Sequence, residues 1–110
     1  MPLTQQQLLG IATEYGTPVY IYDAGHITAQ YQRLRNAFAK TDTRFFYACK
    51  ALTNIHILRH IKNIGCDVDC SSINEVKLAL HAGFDPGAIL YTSNGIHFSE
   101  IEEAQRLGVR

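Results

Sequence analysis

The segment "TRFFYACKALTN" (43–54) places a lysine, Lys50, directly after an apolar and aromatic run. Such a run reads as a buried strand. In parallel sheets the functional residues gather where strands end, at their carboxyl edge. A lysine beside a partly dry pocket has its ammonium form disfavoured, so its amine becomes a usable nucleophile toward an aldehyde or ketone. From position alone, Lys50 can equally be a lysine leaving the strand into solvent. Asp69 is the second candidate. It alternates with Asp67 in "CDVDC" (66–70), so the two carboxylates share one strand face while Cys66, Val68 and Cys70 share the other. Asp69, nearer the carboxyl end, can face a pocket and pair with a cation, and Asp67 falls at the rim. Both can also be strand-end residues in water.

Ser71, Ser72 and Glu75 follow that strand. A serine-rich loop before a helix can hold an anion, but Ser72 and Glu75 also make an S-x-x-E capping box, which explains them without a ligand. His56 and His60 have the i, i+4 spacing of two metal ligands on a helix. No H-E-x-x-H glutamate stands between them, and surface histidines are the better reading. Cys66 and Cys70 read as small buried residues, not zinc ligands. No metal site is expected. G-x-G-x-x-G and the P-loop lysine motif are both missing.

Ten Lys and Arg balance ten Asp and Glu, for a formal net charge of zero. That argues against binding driven by a basic surface, as to nucleic acid or an anionic membrane. With 46% apolar and 18% charged residues the composition is that of a folded protein. No apolar run approaches the ~20 residues of a membrane helix, and the N-terminus lacks the pattern of a secretory signal. Three cysteines without framework spacing fit reduced thiols and a cytoplasmic protein.

The elements that must position these residues alternate in kind. Thr4 caps a helix to about Tyr15, stopped by Gly16. "PVYIY" (18–22) reads as a first strand. Asp23 caps a helix over roughly 24–39. "RFFYAC" is a second strand, and Asn54 caps a helix over about 55–64 that Gly65 ends. "CDVDC" is a third strand, followed by the Ser72 helix and its stop at Gly83. "AILYT" (88–92) is a fourth. Ser99 and Glu102 form a second capping box for a last helix, and Gly108 and Val109 lead toward a further strand. Strands alternating with helices imply a parallel α/β sheet. A small open sheet and the opening half of a (β/α)8 barrel both fit. A barrel needs about 250 residues, so in the second case the chain would be a fragment.

"YGTPVYIYD", "FFYACKA", "GCDVDCSSINEV" and "AGFDPGAILYTSNG", in that order, resemble the N-terminal part of the fold-type III pyridoxal-phosphate decarboxylases. The resemblance runs from about Tyr15 to Val109. It implies the N-terminal half of a PLP-binding (β/α)8 TIM barrel, alanine racemase-like. Residues 1–110 would be the first portion of that barrel domain, with the rest of the barrel and a C-terminal β domain outside the chain. "YACKA" is similar to the family block whose lysine binds pyridoxal 5'-phosphate, which implies that Lys50 is the cofactor lysine and that Ala48 lies against the ring. "VDCSS" is similar to the block whose aspartate sits near that lysine, which implies a cofactor-binding role for Asp69. Glu75 matches a glutamate that recurs after it.

Two positions depart from the pattern. Leu52 stands where asparagine is frequent, and Gly95 and Ile96 stand where many members carry a lysine. They imply a divergent branch.

The segments are most similar to the diaminopimelate branch. The implied reaction of the full-length protein is decarboxylation of meso-diaminopimelate to L-lysine and CO2, by a homodimer that takes a small amino-acid substrate. Ornithine, arginine or carboxynorspermidine decarboxylation is the alternative within the family, and a non-catalytic decarboxylase-like binding protein is the alternative outside it. The 110 residues alone are expected to show little or no turnover, because the phosphate-binding loop of the family lies beyond them.

Overall fold

The computed structural model describes residues 2–110. They form two compact units, one ending at Thr41 and the other spanning Asp42–Arg110.

The first unit holds α1 (Gln5–Tyr15) and α2 (Ala24–Ala37). Thr4 opens α1 through a capping box: its hydroxyl accepts from Gln7 N at 3.2 Å, and Gln7 Oε1 accepts from Thr4 N at 2.9 Å. Gly16, at φ 81°, closes the helix. Asp23 Oδ1 accepts from His26 N at 3.0 Å and so caps α2. The segment 18–22 differs from expectation. It forms no strand and joins no sheet; Tyr20 is 90% exposed. Aromatic and β-branched residues favour a pleated, half-buried surface, but only a ladder partner makes a strand. Pro18 also has no N–H to donate to a ladder.

The second unit carries the sheet. Strands β1 (Phe46–Ala48), β2 (Asp67–Cys70) and β3 (Ile89–Tyr91) lie parallel in the order β1-β2-β3. The register aligns Ala48 with Asp69 and Asp69 with Leu90. Helices α3 (Ile55–Asn63), α4 (Ile73–Ala82) and α5 (Phe98–Leu107) supply the connections. Of these, α3 and α4 pack on β2, and α4 packs on β3. Strand alternation therefore divides the residues cleanly. Val68, Cys70 and Ile89 are fully buried under the helices, with Leu58 from α3 and Val76 and Ala79 from α4. Asp67, Asp69 and Leu90 lie on the opposite face and are half-buried.

The chain is thus an α/β fold of parallel strands and helical crossovers, with three strands among the described residues where four were expected. Past α5, Arg110 N donates to Ile89 O at 3.1 Å and Tyr91 N donates to Arg110 O at 2.8 Å. That pattern extends the parallel ladder beyond β3, as the Gly108–Val109 lead-in predicts.

Two helix starts differ in detail. Glu75 takes Ser72 Oγ on its N–H at 3.1 Å, but its carboxylate accepts from Ser71 N at 2.8 Å instead of Ser72 N. The expected Ser99–Glu102 box does not form. α5 begins one residue earlier than Ser99, and Glu100 Oε2 accepts from His97 N at 3.0 Å. Two acidic residues stood at plausible spacing, and the turn after β3 decided which one lies at the third helical position.

Candidate functional site

The carboxyl ends of the three strands converge on one side of the sheet. β1 ends at Ala48, and the chain tightens into a single 3-10 turn over Cys49–Ala51. That turn splits the side chains. Cys49 points into the core and is fully buried, while Lys50 is exposed at the sheet's edge. Tyr47 Oη donates to Leu52 O at 2.9 Å and ties the turn back to the strand. Lys50, Asp69, Ser71, Thr92, Ser93 and Asn94 line one cavity of about 530 Å³, within the range of small-ligand sites.

Asp69 reaches this cavity because it ends the open face of β2. Its Oδ1 accepts from Thr92 Oγ1 at 2.5 Å. Asp67, two residues earlier, is engaged elsewhere. It pairs with Arg44, whose guanidinium also donates to Gly87 O at 3.2 Å and lies 5.3 Å from the Phe46 ring centroid. The rim position expected for Asp67 thus has a specific partner. Ala48, beside Asp69 in the register, presents a methyl group next to the lysine turn.

Glu75 braces the same end from below. Besides Ser71 N, its Oε2 accepts from Ser71 Oγ at 2.7 Å. Cys49 and Cys70 lie next to it, and both are free thiols. Burial, followed by the negative charge of Glu75, pushes the Cys49 thiol up to about 11. Burial, followed by the charges of Cys49 and Glu75, pushes Cys70 up to about 12. Both residues stay protonated and nucleophilically inert near neutral pH.

The raised values also set a sign for alkaline stability. The folded state holds these protons more tightly than the unfolded state, so stability falls as pH rises from about 9 through 11–12. The thermal midpoint is expected to drop across that window. Native protein at pH 8 should leave Cys49 and Cys70 unmodified by a thiol reagent that labels both in urea. Rapid labelling of either in the native state would refute this arrangement.

The remaining sequence candidates lie outside the cavity. His56 is exposed and His60 half-buried on α3. Cys66 and Cys70 are buried on the covered face. Among the described residues, no three His, Cys, Asp or Glu side chains gather as metal ligands. A second cavity of about 390 Å³ lies by Tyr91, Ile96, Ile101, Ala104 and Val109, with Ser93, Gln105 and Arg110 also in its lining, and no lysine amine faces it to react with an aldehyde.

Sequence reading missed Thr92, Ser93 and Asn94. For Thr92 a signal was present: it has the parity of Leu90 at the end of β3, so it must share a face with Asp69.

Comparison with known proteins agrees with this geometry. Residues 24–110 match the family model described as the pyridoxal-binding domain of pyridoxal-dependent decarboxylases. The diaminopimelate decarboxylase of Methanothermobacter thermautotrophicus is 45% identical over 102 residues, 91% of this chain and 24% of that protein. The crystal structure of the Helicobacter pylori diaminopimelate decarboxylase complexed with L-lysine superposes with a TM-score of 0.85 at 31% identity, covering 93% of this chain and 26% of that one. The ornithine decarboxylase of Entamoeba histolytica superposes at 0.84 with 25% identity, over 94% and 33% of the two chains. The chain spans about a quarter of the length of the curated relatives it matches. With a family model matched over most of its length and a lysine at the carboxyl edge of a parallel sheet, the chain belongs to the pyridoxal-dependent decarboxylases and carries sequence of their pyridoxal-binding domain.

Proposed function

We propose that this chain is the lysine-bearing first portion of the barrel of a pyridoxal-phosphate-dependent amino-acid decarboxylase, one that converts meso-diaminopimelate to L-lysine and CO2. The observation that carries the reading is the shared cavity of Lys50 and Asp69 at the ends of adjacent strands. An amine, a carboxylate and four small polar side chains around one space suit a polar aldehyde cofactor. The methyl of Ala48 beside them leaves room for a flat ring.

Lys50 would hold the cofactor covalently through its aldehyde carbon and release it to the incoming amino group. Asp69 would orient the Lys50 nitrogen and balance its positive charge. Ala48 would border the ring. Bound pyridoxal phosphate would supply the electron sink for the pair left by departing CO2. Glu75 holds the Ser71 turn through Ser71 N and Oγ, with the Cys49 thiol beside it.

The diaminopimelate substrate rests on the 45% identity to the Methanothermobacter enzyme and on the likeness to an enzyme crystallised with L-lysine. The ornithine enzyme's equal superposition keeps ornithine as the second reading. Residues outside these 110 would complete the site, including a phosphate clamp and the second subunit of a homodimer. The free thiols suit a reducing, cytoplasmic setting, and among the described residues no helix is long and apolar enough to cross a membrane.

The test is borohydride reduction of the full-length protein with pyridoxal phosphate, followed by peptide mass analysis. A pyridoxyl group on Lys50 is expected. Its absence from Lys50, with adducts only on other lysines, would sink the assignment. Release of CO2 from meso-diaminopimelate but not from ornithine would decide the substrate.

A further inference from the structure

Thr92 lines the same cavity and donates its hydroxyl to Asp69 Oδ1 at 2.5 Å. Its backbone is also fixed. Thr92 N donates to Cys70 O at 2.9 Å, so the parallel ladder continues one residue past β3. In that register Thr92 follows Leu90 on the open face, and Leu90 is the partner of Asp69. Hydroxyl and carboxylate therefore meet because two adjacent strands end together, not because a loop happens to fold over. A hydroxyl donating to an ionised carboxylate is a charge-assisted bond, short and directional. It restricts rotation of the carboxylate.

We propose that Thr92 is a positioning residue: it fixes the orientation of the Asp69 carboxylate so that its second oxygen serves the Lys50 nitrogen. The inference rests on the cofactor role proposed for Lys50. Other charged and titratable groups near Asp69 are few. From the turn after β1 comes Lys50, and from below the sheet come Cys49, Cys70 and Glu75. On its own strand, Asp67 is occupied by Arg44. Both thiols stay neutral to high pH, and Glu75 is engaged by Ser71. Lys50 is thus the cation in the cavity lining that Asp69 can serve.

The experiment uses the full-length protein loaded with pyridoxal phosphate, as wild type, Thr92→Val and Thr92→Ser. The readout is the pH dependence of the bound cofactor's visible absorbance between pH 6 and 11, which follows the protonation of the Lys50 nitrogen and needs no turnover. Valine keeps the shape of threonine but cannot donate. A carboxylate no longer held toward the nitrogen stabilises its positive charge less, so Thr92→Val is expected to lower the midpoint by about 0.5–1 pH unit, the scale of one hydrogen bond. Thr92→Ser, which keeps the hydroxyl, is expected to follow the wild type. Thr92→Ala replaces Thr92→Val if the latter does not fold.

An unchanged profile in the non-donating variant, with or without a midpoint in this range, overturns the inference. So does a serine variant that behaves like valine, because the hydroxyl would then not be the cause. If the wild type itself carries no pyridoxyl group on Lys50 after borohydride, the cofactor reading fails first and the Thr92 role falls with it. A wild type that traps normally beside a silent Thr92→Val removes the Thr92 role alone.

Discussion

Replacing Lys50 with alanine in the full-length protein is expected to abolish covalent capture of pyridoxal phosphate and to lower decarboxylation by at least about 10²–10⁴-fold, the scale of one positioned catalytic group. The geometry explains why the loss should be so complete. Lys50 stands on the 3-10 turn that ends β1, and the other side chains lining its cavity are a carboxylate, three hydroxyls and an amide. None of these can form a bond to an aldehyde in place of the amine. Stability should hardly change, since Lys50 is exposed and its neighbours Cys49 and Tyr47 make the packing contacts of the turn. The decisive measurement pairs mass analysis after borohydride with a thermal melt. A variant that melts like the wild type, binds no cofactor covalently and turns over slowly fits the proposed role. Undiminished turnover by Lys50→Ala would exclude it.

The second large effect concerns the core. Leu58 is fully buried on α3, the helix that packs on β2. Leu58→Ala removes buried methyl groups and leaves a cavity, at a cost of about 2–5 kcal/mol. Domains of this size hold only about 5–15 kcal/mol in total, so the urea midpoint of the full-length protein should fall markedly. Leu9→Ala is the control. Leu9 is 61% exposed in α1, and its loss should stay within about 0.5 kcal/mol. Equal midpoints for the two variants would mean that α3 does not pack on the sheet as described.

Local signals were enough to locate most elements. Thr4, Asp23, Asn54 and Ser72 each cap the helix expected of them, because a cap depends on a hydrogen bond only two or three residues long. The alternation in "CDVDC" likewise separated Asp69 from its buried neighbours, since strand parity is a property of the backbone. The segment 18–22 shows the limit. Its composition favours a strand, but pairing is made by another segment, and composition cannot supply one. The Ser99–Glu102 box failed for a related reason: the exact residue at which α5 starts depends on how the chain leaves β3.

The site divides in the same way. By itself the sequence determined the candidates: a lysine closing an apolar strand, an aspartate on one face of the next, and the order of parallel strands that places strand ends together. Only the tertiary structure decided what they meet. That Asp69 bonds Thr92 while Asp67 takes Arg44 follows from strand register across 23 residues in each pair. That Cys49 turns inward and Lys50 outward follows from a single 3-10 turn after β1. Register and turn are set by which surfaces are buried together, and burial is a property of the whole packed sheet, not of any one stretch of chain.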